Sequence, residues 1–250
     1  MWAGKERILL ESVDSTNEYA KDMIKNGCDH GTLIVAKQQL QGRGRRGRSW
    51  VSDPGDGIFM SLIVKPELPL AKTALITLIA ALAVTEAIKE VTSITPGIKW
   101  PNDILINEKK VCGILTELEV SHNRPSFVIV GIGINVNMKT LPSQLEDIAT
   151  SLYRQTGIRY ENHTIIDSCM KHFESFYEKY QAEGDFHVLK ELYQSYSLNL
   201  GKPVTVISGA ESFQGMALSI GDDGQLLVEK EDGQRIQVVS GEVSIRPVKR

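Results

Sequence analysis

Between residues 98 and 134 four strand-like segments follow one another, at 98–100, 104–106, 111–119 and 127–134, with no helical period between them. Strands joined without crossover helices pair antiparallel, because a parallel pair needs a connection of a dozen or more residues. Asn107-Glu108 sits between two of these segments as a hairpin turn. This one stretch predicts an α+β domain and argues against the strand-and-helix alternation of a parallel nucleotide-binding sheet.

The flanking sequence extends that reading. Residues 7–13, 33–37 and 57–64 read as strands, the last opened by the Asp53-Pro54-Gly55-Asp56-Gly57 turn. Residues 70–90 are rich in alanine and leucine and apolar around most of a helical circumference, so they predict a buried helix under the sheet. Further helices are expected at 162–181 and 186–196. After Leu200-Gly201-Lys202-Pro203 the texture changes to short strands, 204–206, 213–220, 226–229, 235–239 and 243–245, between Gly-Asp-rich turns. That pattern predicts a small all-β barrel, giving two domains at 1–198 and 199–250. About fifty residues bury little surface alone, so the second domain is expected to pack on the first.

Charge narrows the partners. Seven residues, 42–48, read Gly-Arg-Gly-Arg-Arg-Gly-Arg, in a chain whose net charge is -3. Glycine lets backbone come close to a ligand, and arginine supplies forked donors that stay charged. A nucleic-acid coat would draw on a broad basic surface, so a small multiply charged anion is the simpler partner, with an arginine-glycine nucleic-acid contact as the rival. Cys28, Cys112 and Cys169 have no CxxC spacing and form an odd set, which suits a reducing compartment. The first six residues hold no apolar signal core, and the apolar stretch 74–87 is interrupted by Thr77, Thr85 and Glu86. A cytoplasmic protein with no membrane partner is expected.

Several standard sites are excluded by spacing. There is no Gly-x-x-x-x-Gly-Lys-Ser/Thr loop, and Gly131-Ile132-Gly133 lacks the third glycine and the helix of a dinucleotide fingerprint. The five histidines show no metal spacing, and no Gly-x-Ser-x-Gly elbow is present. What remains is a set of polar segments at strand ends: 15–17, 39–50, 99–103, 110–113 and 131–137. Arginines, lysines and an aspartate converging on one sheet would suit ATP, its phosphates and magnesium. Each segment also has a plain structural reading. Ser15 and Glu18 have capping-box spacing, Trp50 and Trp100 could be core anchors, Asp103 could close an Asx turn, and Cys112 alternates as a core residue.

Taken in order, Asp14-Ser15-Thr16-Asn17, Gln39 through Trp50, Lys99-Trp100-Pro101-Asn102-Asp103, Lys110 through Glu117 and Gly131 through Asn137 resemble the biotin protein ligases. The resemblance covers residues 7–137 by motif, and it implies a mixed, largely antiparallel sheet of the class II aminoacyl-tRNA synthetase/biotin ligase type with an SH3-like C-terminal barrel. It implies that biotin is activated by ATP with magnesium as biotinoyl-5'-AMP and passed to a lysine of the carrier domain of an acyl-CoA carboxylase. By the same resemblance Ser15, Thr16, Asn17, Gln39 and Gly42 contact biotin, and Gly113 and Gly133 let a ligand lie against the backbone. Arg43 and Lys110 stand near the reacting carboxylate and α-phosphate. Arg45, Arg46, Arg48, Trp50, Asn102 and Asn135 serve the nucleotide, and Asp103 its magnesium. Some members carry a DNA-reading domain before the first strand; with six residues there, ligase activity without repression is expected. Lipoate and octanoate enzymes of the same fold are the nearest alternative. A homodimer is common in the family and stays open, and residues 39–54 are expected to be mobile without ligand because glycine is costly to fix and like charges repel.

Overall fold

Helix α2 (Leu75–Thr92) is the centre of the molecule. Its buried residues run around the whole helix, as the alanine- and leucine-rich sequence predicts, and Ser93 ends it in the left-handed region at φ 61°. The computed structural model describes residues 1–48, 50, 55–69, 72–121, 124–208, 211–239 and 241–245. Ser49, Asp53 and Pro54 of the expected loop and turn, with residues 51, 52 and 70 and His122, lie outside the described residues.

α2 packs on a seven-stranded sheet. In chain order its strands are β1 (Arg7–Leu10), β2 (Leu33–Ala36), β3 (Gly57–Val64), β4 (Gly97–Lys99), β5 (Asp103–Ile106), β6 (Lys109–Ser121) and β7 (Arg124–Asn135). In space they run β1-β2-β3-β7-β6-β5-β4. All neighbours are antiparallel except β1 and β2, between which α1 (Thr16–Lys25) returns the chain. The sheet is therefore mixed and largely antiparallel. Asn107 and Glu108 both take positive φ, 48° and 63°, as a two-residue turn between β5 and β6 requires. β1 ends three residues earlier than the sequence suggests; beyond it only Val13 bridges, to Gln39.

The period of two along β3 and β7 separates the faces of the sheet. Ile58, Met60 and Leu62 of β3 and Val130, Ile132 and Ile134 of β7 join α2 in the main core. α4 (Asn162–Glu183) and α5 (His187–Tyr196) complete that side with Phe173, Tyr177, Tyr180 and Tyr193. Each such fully buried side chain contributes roughly 1.5–3 kcal/mol. The opposite face holds only a small cluster, Ala20, Ile34, Ile63 and Ile129, beneath α1. Its remaining positions on β3 and β7 include Ser61, Gly131 and Gly133, so this face is left short of side chains beside the start of α1. α3 (Leu152–Thr156), a five-residue helix capped by Ser151, was not anticipated; it is too short to leave a periodic signal.

The remaining strands, β8 (Pro203–Ser208), β9 (Glu211–Ile220), β10 (Leu226–Glu229), β11 (Arg235–Val238) and β12 (Glu242–Ser244), form a second, antiparallel sheet in the order β11-β10-β9-β8-β12. Its inward residues, Val204, Val206, Ala217, Leu226 and Val228 among them, are continuous with the main core. Trp100 is one anchor between the sheets: it is buried, and its indole Nε1 donates to Gly224 O at 2.9 Å. The core reading of Trp100 is correct. Among the described residues no helix is long and apolar enough to cross a membrane.

Candidate active site

Gly113 of β6 is paired directly with Gly133 of β7, and Gly131 lies on the same face two residues away. These three glycines make a floor from which no side chain rises. A Cβ on Gly131 would collide with Asn17 Oδ1. On Gly113 it would stand 2.8 Å from Trp50 Cζ3, and on Gly133 2.7 Å from Trp50 Cε2. In this structure the Trp50 indole lies on Gly113 and Gly133, in the space the sequence reading gave to a ligand. The indole Nε1 is buried and has no hydrogen-bond partner among the described residues, and Lys110 Nζ stands 5.4 Å above the ring.

At the Gly131 end the cavity wall is built mostly from neutral hydrogen-bonding groups. Ser15 occupies the N-cap position of α1 with φ -153° and ψ 133°, yet its side chain makes no capping bond. Glu18 is not a capping-box partner either, because it pairs with Lys21 at 2.9 Å and Arg43 at 2.7 Å. The acceptor comes from elsewhere: Gln39 Oε1 takes both Thr16 N–H at 2.8 Å and the Thr16 hydroxyl at 3.1 Å. This leaves the Ser15 hydroxyl on the cavity wall uncommitted to the helix. Asn17 Nδ2 donates to Leu115 O at 3.3 Å and Glu117 Oε2 at 2.7 Å, while Ser61 Oγ reaches Asn17 Oδ1 at 2.6 Å. Asn17 therefore spends its amide on the protein and orients the floor. Ser61, buried and also 2.7 Å from Thr16 Oγ1, belongs to this network but carries no motif.

Two strand residues further along, the site becomes cationic. Lys110 Nζ pairs with Asp103 Oδ1 at 2.7 Å. The backbone of Lys110 is clamped between Ile148 and Thr150, by bonds of 2.9 Å each. Arg45 Nη1 donates to Asn102 Oδ1 at 2.7 Å, and Asn102 Nδ2 donates to Ile114 O at 2.9 Å. Burial pulls both the Arg45 guanidinium and the Lys99 ammonium below their ordinary pKa values, against the attraction of Asp103. Asn135 is buried, with Nδ2 donating to Thr150 O at 3.0 Å. Cys112 faces the core, where burial pushes its thiol up, in line with the core reading.

The arginine stretch is a finger closed at its neck. Trp50 N donates to Gly42 O at 2.8 Å, and Gly44 N to Arg48 O at 2.7 Å, around a 3-10 turn at Arg45–Gly47. Gly42 does not line the cavity. A Cβ there would come 2.5 Å from Trp50 O, so Gly42 is what lets the neck close. Arg43, expected near a reacting carboxylate, points to Glu18 at the rim. Arg46 Nη2 donates to Ile207 O at 3.1 Å, and Arg48 Nη2 meets Glu242 Oε2 at 2.5 Å. Both partners come from the C-terminal sheet, a contact across more than 150 residues that no local pattern announces.

All the site residues expected from sequence other than Gly42 line one cavity of about 940 Å³. Residues 241–245 line it too. Among the described residues no group of three or more histidine, cysteine or acidic side chains could hold a metal.

Residues 9–135 match the biotin/lipoate A/B protein ligase family, and residues 200–246 match the biotin protein ligase C terminal domain. The bifunctional ligase/repressor BirA of Bacillus subtilis (strain 168) is 43% identical over 232 residues, covering 92% of this chain and 71% of that protein. The biotin--[acetyl-CoA-carboxylase] ligase of Paracoccus denitrificans is 30% identical over 235 residues, 91% of this chain and 96% of its own. Among solved structures, the biotin protein ligase from Aquifex aeolicus in complex with biotin and ATP superposes with a TM-score of 0.84 at 35% identity, covering 97% of this chain and 99% of that one.

Proposed function

The chain belongs to the biotin/lipoate A/B protein ligase family, and from that premise we propose that it activates biotin with ATP and attaches it to one lysine of a biotin carboxyl carrier domain. The C-terminal match to biotin protein ligases favours biotin over lipoate or octanoate. The observation that carries the reading is the order of the site along β7. A neutral hydrogen-bonding end at Gly131 stands about 7 Å, two strand residues, from a cationic end at Gly133. A ligand with a polar ring system and a carboxylate to be activated matches that order.

In the first step a biotin carboxylate oxygen attacks the α-phosphorus of ATP, and the bond to the β-phosphate oxygen breaks. Biotinoyl-5'-AMP and pyrophosphate result. Ser15, Thr16 and Gln39 offer their hydroxyl and amide groups to the ring system, over a floor that Asn17 and Ser61 hold rigid. Lys110 and Arg45 face the charge that develops at phosphorus, where fixed cations in a half-buried site act most strongly. Arg43 joins them only by exchanging Glu18 for the ligand. Trp50 presents its unpartnered indole N–H and its ring face to the intermediate, and Asn102 and Asn135 flank the nucleotide. In the second step a carrier lysine amine attacks the acyl carbon, AMP leaves, and the amide nitrogen gives up a proton.

A magnesium ion on the nucleotide would offset phosphate charge. Asp103 is the candidate ligand, and a single carboxylate suits an ion held chiefly by phosphates and water rather than by a protein cage. Residues 1–198 would then carry the chemistry and residues 199–250 the companion sheet.

The test is incubation with biotin, magnesium-ATP and a carrier domain, read by mass. One biotin on one lysine is expected; no mass gain, with lipoate accepted instead, overturns the reading. Ligase activity alone is proposed, so sequence-specific operator binding in a mobility shift at physiological salt would contradict it.

A further inference from the structure

The cationic finger is tied down by the second sheet at one point. Glu242 of β12 is the direct register partner of Ile207 of β8. Around that pair Arg48 Nη2 meets Glu242 Oε2 at 2.5 Å, Arg46 Nη1 stands 3.7 Å from the same oxygen, and Arg46 Nη2 takes Ile207 O. Gly241 O, one residue away, accepts from Arg45 Nη2 at 3.4 Å. Arg46 and Arg48 thus end on one strand pair, and Arg45 on the residue just before it. Glu242 also lies in the field of Lys99 and Arg45, and it lines the same cavity as Lys110 and Asp103. Arg48 above all holds its carboxyl below the usual carboxylate range, with burial opposing.

An anion in that position has two opposite effects. It gives the finger arginines a partner, which keeps four like charges from forcing the loop open. It also places a negative charge beside the cations that a nucleotide triphosphate must reach. We propose that Glu242 is a resident counter-anion of the finger: it positions Arg46 and Arg48 before nucleotide arrives and opposes nucleotide binding by its charge. This deepens the ligase reading and rests on it for the identity of the nucleotide. Glu242 is a positioning residue, since it acts through the arginines and the cavity field.

The sign of one measurement separates this role from that of a simple strut. If Glu242 only braced the loop, replacing it would weaken anion binding. A counter-anion predicts the reverse. Calorimetric titration of the whole chain with inorganic tripolyphosphate should give Glu242→Gln a dissociation constant roughly threefold to fivefold lower than the parent, the scale of one partly exposed ion pair. Glu242→Asp, which keeps the charge, should return the constant to within about twofold of the parent. Trypsin cleavage at Arg46 and Arg48 without ligand should be faster in Glu242→Gln than in Glu242→Asp. Unchanged or weaker tripolyphosphate binding by Glu242→Gln overturns the proposal, as does equal cleavage of the two variants. Because tripolyphosphate binding and cleavage need no biotin, failure to biotinylate a carrier would count against the proposed function alone.

Discussion

The two ends of the cavity are made from opposite materials. At the Gly131 end the groups are mostly neutral: buried Ser61, Thr16 and Asn17 and half-buried Gln39 exchange hydrogen bonds of 2.6 to 3.1 Å with one another, and Glu117 behind them is paired with Lys21. At the other end the finger is held by ion pairs such as Arg48–Glu242, in which Arg48 is 67% exposed. Buried neutral networks have one satisfied arrangement and are costly to break, whereas exposed ion pairs are worth at most about 1 kcal/mol and exchange partners readily. The first end is suited to recognising a fixed shape. The second is suited to closing on a charge, holding it and releasing it.

The largest test of that contrast lies where the ends meet. Lys110→Ala should lower the rate of adenylate formation by about 10²- to 10³-fold, the cost of losing one fixed charge-stabilising group, while biotin affinity changes little. Pyrophosphate exchange against biotin titration measures both. A loss confined to biotin affinity would move Lys110 to the recognition end.

At the neutral end Gly131→Ala should cost about 1–3 kcal/mol in stability, because its methyl group collides with Asn17 Oδ1 in a packed network. Biotin binding should fall with it, by about tenfold or more, while tripolyphosphate binding holds. Ser61→Ala acts in the same place without adding volume. Leaving Asn17 Oδ1 without its donor should cost about 1–3 kcal/mol, read as a fall in melting temperature. If either variant disturbed tripolyphosphate binding as much as biotin binding, the ends would not be separate.

Arg45→Ala should act on the charged end with a smaller effect. It removes a charge-assisted bond to Asn102 Oδ1, so biotinoyl-5'-AMP should leave about tenfold faster in a filter-retention assay, with biotin affinity nearly unchanged.

The same contrast governs what the sequence exposed to view. β3 and β10 match the expected residues 57–64 and 226–229 because each is an apolar run closed by turn residues. α3 is too short at five residues to leave a signal, and β1 stops before Glu11-Ser12, while Val13, which only bridges Gln39, made the strand read longer. The charged end was legible as motif, since arginines and glycines in series have few other uses. Its partners were not: Glu242 is one acid among many in a turn-rich segment, and only the packing of two sheets brings it to Arg48. At the neutral end Ser15 and Glu18 suggested a local cap, yet the acceptor for Thr16 is Gln39, 23 residues on. Ser61 carried no signal at all, because a lone serine inside an apolar strand is indistinguishable from a tolerated core position.

Arg43 sits between the two ends and gives the smallest and sharpest test. Its guanidinium pairs with Glu18 at 2.7 Å, both groups well exposed. As a surface pair it should matter little to folding, so Arg43→Gln should leave stability within about 0.5–1 kcal/mol. If Arg43 leaves Glu18 to meet the biotin carboxylate, that variant should still lower kcat/KM for biotin by about fivefold. Glu18→Gln then supplies the opposite sign, because it frees Arg43 from the rim while keeping the charge near the cavity. Its kcat/KM should equal or exceed that of the parent. A fall of similar size in both variants would mean that the pair works as a fixed brace of the neutral end, and Arg43 would have to be taken out of the chemistry.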